Sequence, residues 1–219
     1  MLHDAYMDVK YLLNRGYRKK YALEFVANHY RLTAGERHLL ARCVFPDAWI
    51  EKVRKKLLEP GDLRGRVLAV DGFNVLITLE SLLDGEAILC EDGLVRDLKY
   101  LGRYRLKERT GDLLKEMALS LTDVGPEKVV FFYGKNVPKS GIVKKLTEKA
   151  LGSRVPCEVA LVRSPDFELK TYDTVATADA GIIQKVPHVF DLAAYTALRL
   201  GIKARPFSDF LFPENFSSV

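Results

Sequence analysis

The chain has 219 residues, enough for one medium domain and a small one, and its 48% hydrophobic content and mean hydropathy of −0.05 are those of a globular protein with material for a core. No apolar run approaches the roughly 18 to 20 residues needed to cross a bilayer, and Met1-Leu2-His3-Asp4-Ala5-Tyr6 lacks the basic-then-apolar order of a signal peptide. A cytoplasmic protein without a membrane partner is therefore expected. Cys43, Cys90 and Cys157 are far apart in sequence, and His3, His29, His38 and His188 show no ligand spacing. A disulfide framework or a zinc site needs tighter clustering, so the cysteines read as buried thiols. The net charge of +5 is uneven: residues 1–66 carry 14 Lys and Arg against 8 Asp and Glu, and the rest carries 20 against 21. The positive charge at the front of the chain points to nucleic acid as a partner.

Ala5, Tyr6, Val9, Leu12 and Leu13 have helical spacing over residues 4–14, and Gly16 breaks the pattern. A second helix is predicted from about Lys19 to Tyr30. Thr33-Ala34-Gly35-Glu36 is a capping box opening a third helix to about Arg42, and a fourth runs from Asp47 to Leu58. The second and third helices have the look of a helix-turn-helix, which would direct Glu36, Arg37 and Arg42 at a DNA groove. Short helix pairs are also common packing units, and a module that grips substrate or a partner is the other reading. Glu59-Pro60-Gly61-Asp62 is a turn cluster that divides a basic helical domain, residues 1–60, from an α/β domain, residues 61–219.

Within the second part, Val67-Leu68-Ala69-Val70 and Lys128-Val129-Val130-Phe131-Phe132-Tyr133 read as central strands, a helix spans about Gly111 to Leu121, and Leu161, Val175 and Val189 mark later strands. Strands alternating with helices predict a three-layer α/β fold on a parallel sheet. The tail from Pro206, with Phe207, Phe210, Phe212 and Phe216, is too aromatic for a free linker and is expected to pack back.

The first strand runs straight into Asp71-Gly72-Phe73-Asn74, a polar site where a hydrophobic run ends. In an open α/β sheet that end of a strand is where ligands bind. Asp71 alone reads equally as a helix N-cap facing water. A second stretch, Lys170 to Ile183, opens a short β-branched run with Asp173 and closes it with Thr177-Ala178-Asp179. Adjacent strands are roughly 5 Å apart, so carboxylates at matching ends could share a cation.

Together these stretches resemble the PIN-like nuclease superfamily and, within it, the NYN branch. Asp71-Gly72-Phe73-Asn74 is similar to the family's opening motif of acid, any two residues and asparagine, while Lys170, Asp173 and Thr177-Ala178-Asp179 are similar to its later acid and its threonine or serine followed by an acid. The resemblance covers about residues 66–207. It implies a Rossmann-like parallel sheet and an endoribonuclease site dependent on Mg²⁺ or Mn²⁺ at the sheet's C-terminal edge. The whole chain, with its helical segment in front, is also similar to a group of uncharacterised prokaryotic proteins.

In that reading Asp71, Asp173 and Asp179 are metal ligands and Asn74 and Thr177 orient them or the phosphate. Glu80, Asp92, Asp97 and Asp191 are further acids within reach in sequence; Asp92 or Asp97 could complete the pocket, and Asp191 could equally cap the helix from Leu192. Two segments are candidates to hold RNA. Residues 99–107 interleave Lys99, Arg103 and Arg105 with aromatics, and Gly134 to Gly141 carries Lys135 and Lys139 at a strand-to-helix junction suited to a phosphate. The alternative is a nucleic-acid-binding or regulatory protein with a vestigial site. A phosphatase fits less well, because no Asp-x-Asp motif follows a strand.

Overall fold

The computed structural model describes residues 1–98, 104–152 and 154–212. Four helices come first: α1 (Leu2–Asn14), α2 (Lys19–His29), α3 (Ala34–Cys43) and α4 (Asp47–Lys56). Ala5, Val9 and Leu13 recur at intervals of four and form the buried stripe of α1. The capping box of α3 forms as expected, with Glu36 N donating to Thr33 Oγ1 and Thr33 N donating to Glu36 Oε2 at 2.8 Å.

A 3-10 turn, Pro60–Leu63, leads into β1 (Val67–Asp71), α5 (Gly72–Leu83), the short strands β2 (Ala87–Leu89) and β3 (Val95–Asp97), and α6 (Thr110–Val124). Then follow β4 (Lys128–Gly134), α7 (Ser140–Leu151), β5 (Cys157–Val162), α8 (Pro165–Leu169), β6 (Thr174–Ala176), α9 (Ala180–Ile183), β7 (His188–Val189), α10 (Leu192–Arg199), β8 (Arg205–Pro206) and α11 (Ser208–Leu211). Five strands form a parallel sheet in the order β5-β4-β1-β6-β7, and β3-β2-β8 form a small second sheet.

Side chains alternate across the parallel sheet with period two. Leu68, Val70, Val129, Phe131 and Tyr133 face a core shared with α5, α6, α7 and α10. Ala69, Val130, Phe132 and Val175 face the opposite way, onto Leu169 of α8 and Ile182 and Ile183 of α9. The result is the three-layer α/β architecture that the alternation of strands and helices predicts.

The helical segment packs against the α/β part at two places. Val53 of α4 is fully buried in the second face of the sheet beside Val130, Val175 and Val189. Leu57 pairs with Val189 as an isolated parallel bridge, the Leu58 amide donates to the Val189 carbonyl at 2.9 Å, and Lys56 Nζ donates to the carbonyls of Ile183 and Val186. A second cluster joins α1, α2 and α3 to Ile88 and Cys90, and to Phe207 and Leu211 from the end of the chain. The aromatic tail thus packs back, as expected, although Phe216 lies outside the described residues. Cys43 and Cys90 sit within that cluster with their thiols 3.1 Å apart, a contact that 47 residues of sequence separation conceal.

Gly72 is where β1 turns into α5, and the ring of the buried Tyr133 occupies the space that a Cβ would need. Tyr133 cannot swing away, because its hydroxyl shares a 2.8 Å hydrogen bond with Thr147 inside the core. Gly72→Ala is therefore expected to destabilise the protein by about 2 to 3 kcal/mol in urea unfolding, the cost of overpacking a closed core.

Candidate active site

From β1 the sheet grows through β4 and β5 on one side; the chain then returns to lay β6 and β7 on the other. The C-terminal ends of β1 and β6 therefore flank the topological switch point, where the connections diverge and open sheets bind ligands. Asp71 is the last residue of β1, and the register that pairs Val70 with Ala176 sets it level with Thr177.

Hydrogen bonds stitch the two strand ends together. Thr177 Oγ1 donates to Asp71 Oδ2 at 3.0 Å and accepts from the Asp179 amide at 3.2 Å. Asn74 Oδ1 accepts from the Ala178 amide at 2.9 Å. Asp179 Oδ1 caps α9 by accepting from the amides of Gly181 at 2.8 Å and Ile182 at 3.1 Å. Asp71, Asn74, Thr177 and Asp179 are thus brought together.

The Asp71 carboxyl is pushed up to about 7, first by burial and then by the negative charges of Asp166 and Asp179, against the opposing hydrogen bonds from Thr177 and the Asn74 amide. Like charges held near a dehydrated carboxylate are a standing demand for a proton or a cation.

Asp173 does not join this group. It precedes β6, level with Val67 and so four residues from Asp71 along the strand direction, or roughly 13 Å at about 3.3 Å per residue. At that opposite edge it meets Arg66 NH1 and His188 Nδ1, each at 3.0 Å. Some desolvation works the other way, but hydrogen bonds from His188 and Thr174 and the charges of His188 and Arg66 hold its carboxyl below the usual range. A residue that opens a parallel strand and one that ends its neighbour lie on opposite edges of the sheet, so Asp173 is an N-terminal ion-pair residue and not a ligand beside Asp71.

The further acids have structural work. Glu80 is buried on α5 and accepts from Lys107 Nζ at 2.8 Å and Tyr104 Oη at 3.4 Å. Asp97 pairs with Arg42 at 3.4 Å. Asp191 is the N-cap of α10 and accepts from the amides of Ala194 and Val95. Asp92 is fully buried in a two-pronged pair with Arg96, at 2.7 and 2.8 Å, and also accepts from Trp49 Nε1 at 3.0 Å. Of the basic candidates, Lys99 and Arg103 lie outside the described residues and Arg105 is exposed. Lys135 and Lys139 are exposed in the β4–α7 loop, on the same sheet edge as Asp71.

The helix-turn-helix reading loses its contact residues. Arg37 donates to the carbonyls of Leu32 and Ala27 and to Asn28 Oδ1, Glu36 is spent on the cap, and Arg42 faces Asp97.

Two residues of the site escape the sequence reading. Asp166, in the first turn of α8, faces Asp71 electrostatically. A weak signal was available, since Arg163-Ser164-Pro165-Asp166 follows the strand Cys157–Val162 and sets an acid four residues past its end, where Asp71 is the last residue of its own strand. Arg96 donates from Nε to the Ala178 carbonyl at 3.0 Å, so the Asp92–Arg96 pair holds the loop that carries Thr177 and Asp179.

The folded protein keeps the Asp71 proton up to about pH 7, whereas the unfolded chain releases it near the ordinary 3.8. The native state therefore binds the extra proton between those values, and this residue's contribution to stability falls as pH rises through that window. Asp71→Asn is expected to stabilise the metal-free protein by about 2 kcal/mol at about pH 8 and to give no gain near pH 4, as read by urea unfolding at both pH values.

Comparisons with known proteins give families and no activity. Residues 60–195 match the family described as Domain of unknown function (DUF5616), and residues 1–56 match Protein of unknown function (DUF434). The chain is similar to an uncharacterized protein of Methanocaldococcus jannaschii, at 39% identity over 198 residues that cover 88% of this chain and 95% of that relative. No solved structure matches it. The first of these models spans more than half of the chain, Asp71, Thr177 and Asp179 included, and the protein belongs to the DUF5616 family.

Proposed function

We propose that the protein is a metal-dependent endoribonuclease of PIN-like type that hydrolyses RNA phosphodiester bonds at Asp71. One observation carries the reading: a half-buried carboxyl at the switch point, raised to about 7 by burial and by Asp166 and Asp179. Such an arrangement is costly unless a cation relieves it. The donor set is all hard oxygen and suits Mg²⁺ or Mn²⁺. Among the described residues no three His, Cys, Asp or Glu form a group that could enclose an ion. The fit is therefore to a largely hydrated ion, since Mg²⁺ keeps several waters and takes only one or two carboxylates.

Asp71 and the uncapped oxygen of Asp179 would hold the ion, with Asp166 acting on its water shell. When bound, such an ion lowers the pKa of its water and neutralises charge on the leaving oxygen. The chain's own contribution is orientation. Thr177 fixes the Asp71 carboxyl, Asn74 fixes the loop through the Ala178 amide, and Arg96 fixes it from the carbonyl side. The reading includes a cytoplasmic site of action and RNA as substrate. DNA binding through α2 and α3 is not part of it, because Glu36, Arg37 and Arg42 are engaged internally.

The second reading, a nucleic-acid-binding or regulatory protein with a vestigial site, is favoured by the same lack of a closed three-residue cage among the described residues. Cleavage of end-labelled single-stranded and structured RNAs in Mn²⁺ or Mg²⁺ separates the two. Asp71→Asn is expected to lower the rate by about 100-fold or more and Asp179→Asn by about 10- to 100-fold. Asp173→Asn should stay within about twofold, because its carboxylate sits at the other edge. RNA binding without metal-dependent cutting would transfer the assignment to the second reading.

A further inference from the structure

The β4–α7 loop forms an open recess of about 530 Å³ on the same edge of the sheet as Asp71, reached from one strand over. Asp71 is level with Phe132, and β4 continues two residues further to Gly134 before the loop begins. Lys135, Lys139 and Lys145 all line the recess, and none has an acidic partner among the described residues. The neighbouring Lys144, by contrast, is paired with Glu148.

Backbone donors point the same way. α7 is twelve residues long and has no side-chain cap, and the Gly141 amide in its first turn has no acceptor among the described residues. An uncapped N-terminus of this length favours an anion. The independent observation is Ser140. It is only 6% exposed, it lines the recess, and its hydroxyl has no hydrogen-bond partner among the described residues. That hydroxyl is not sealed off from solvent, so it can donate to an anion seated in the recess.

We infer that this recess is a phosphate-binding subsite, in which Ser140, the Gly141 amide and the ammonium groups of Lys135, Lys139 and Lys145 hold one phosphate of an RNA strand. The Pro165 ring lies 3.8 Å from where a Cβ on Gly134 would sit, and Asp166 follows Pro165 directly, so the cationic recess lies near the carboxylates. An anchored phosphate here would lead the strand toward Asp71 past a surface that repels any phosphate lacking a cation. This inference rests on the ribonuclease reading for its substrate, and binding tests it separately from cutting.

Fluorescence anisotropy with a short 3′-labelled single-stranded RNA in EDTA, bearing either a 5′-phosphate or a 5′-hydroxyl, is the experiment. Lys139 adopts φ 63, a conformation glycine takes without strain, so Lys135→Ala combined with Lys139→Gly removes two charges without threatening the fold. The double variant is expected to raise Kd about tenfold and to reduce the salt slope by about 0.7, the share of one single-strand phosphate. Ser140→Ala alone should raise Kd about threefold with an unchanged thermal midpoint.

If the occupant is the terminal phosphate, wild type prefers the 5′-phosphorylated RNA and the variants erase the preference. If it is internal, both RNAs lose affinity equally. An unchanged Kd and salt slope for both RNAs overturns the subsite, even where Mn²⁺-dependent cutting persists. The tenfold loss in a protein that never cuts keeps the subsite and overturns the nuclease reading alone.

Discussion

The parallel pairing of β1 with β6 is the constraint on which the site depends. Each strand leads to a different side of the sheet, so their ends are left open to one another with no connection crossing between them. That gap is closed by side chains from both sequences: Thr177 reaches Asp71, and Asn74 reaches the backbone of Ala178. About a hundred residues separate the partners, and neither stretch can hold its polar end in place without the other. The raised carboxyl is a consequence of this closure, because the contacts that position Asp71 also strip it of water.

Behind the gap lies the buried pair of Arg96 and Asp92. Taking two charges out of water costs several kcal/mol each, and their mutual attraction offsets this only when geometry and further hydrogen bonds are good. Here both conditions hold: two parallel bonds join the partners, Trp49 of α4 serves Asp92, and the guanidinium Nε serves the Ala178 carbonyl. The Phe45 ring lies against the guanidinium, 4.8 Å from its centre. An apolar replacement could match the pair in stability and would still lose the hold on residue 178. Its role is placement, and it makes the helical segment part of the scaffold of the site.

Much of this was legible in the chain. Val67–Val70 and Val129–Tyr133 read as strands because a sheet covered on both faces needs apolar residues at every position, and the structure covers both faces. Asp71, Asn74, Thr177 and Asp179 were readable as a polar border to those runs. Asp173 misled because β6 has only three residues, so acids at its two ends look like neighbours in sequence while facing opposite edges of the sheet. Asp166 was overlooked because β5 is an edge strand whose half-exposed residues blur the apolar signal that makes β1 obvious. The Asp92–Arg96 pair carries no pattern of its own, since what identifies it is contact with Trp49 and Ala178, each more than forty residues away.

The covering of the sheet's second face by α4 also sets an order of events on the ribosome. Val53 emerges about 130 residues before Ile182 and Ile183, the side chains against which it is buried. At about 5 to 20 residues per second, that is an interval of roughly 6 to 25 seconds. For that time Val53 of α4 lacks the completed sheet face on which it is buried, while α1, α2 and α3 can already begin to close on one another and Trp49 can stack on Phe45. The nascent chain therefore passes through a state with one helical cluster still open where Phe207 and Leu211 will close it and one apolar helix face waiting, the stage at which a holding chaperone or a wrong partner has most access to it.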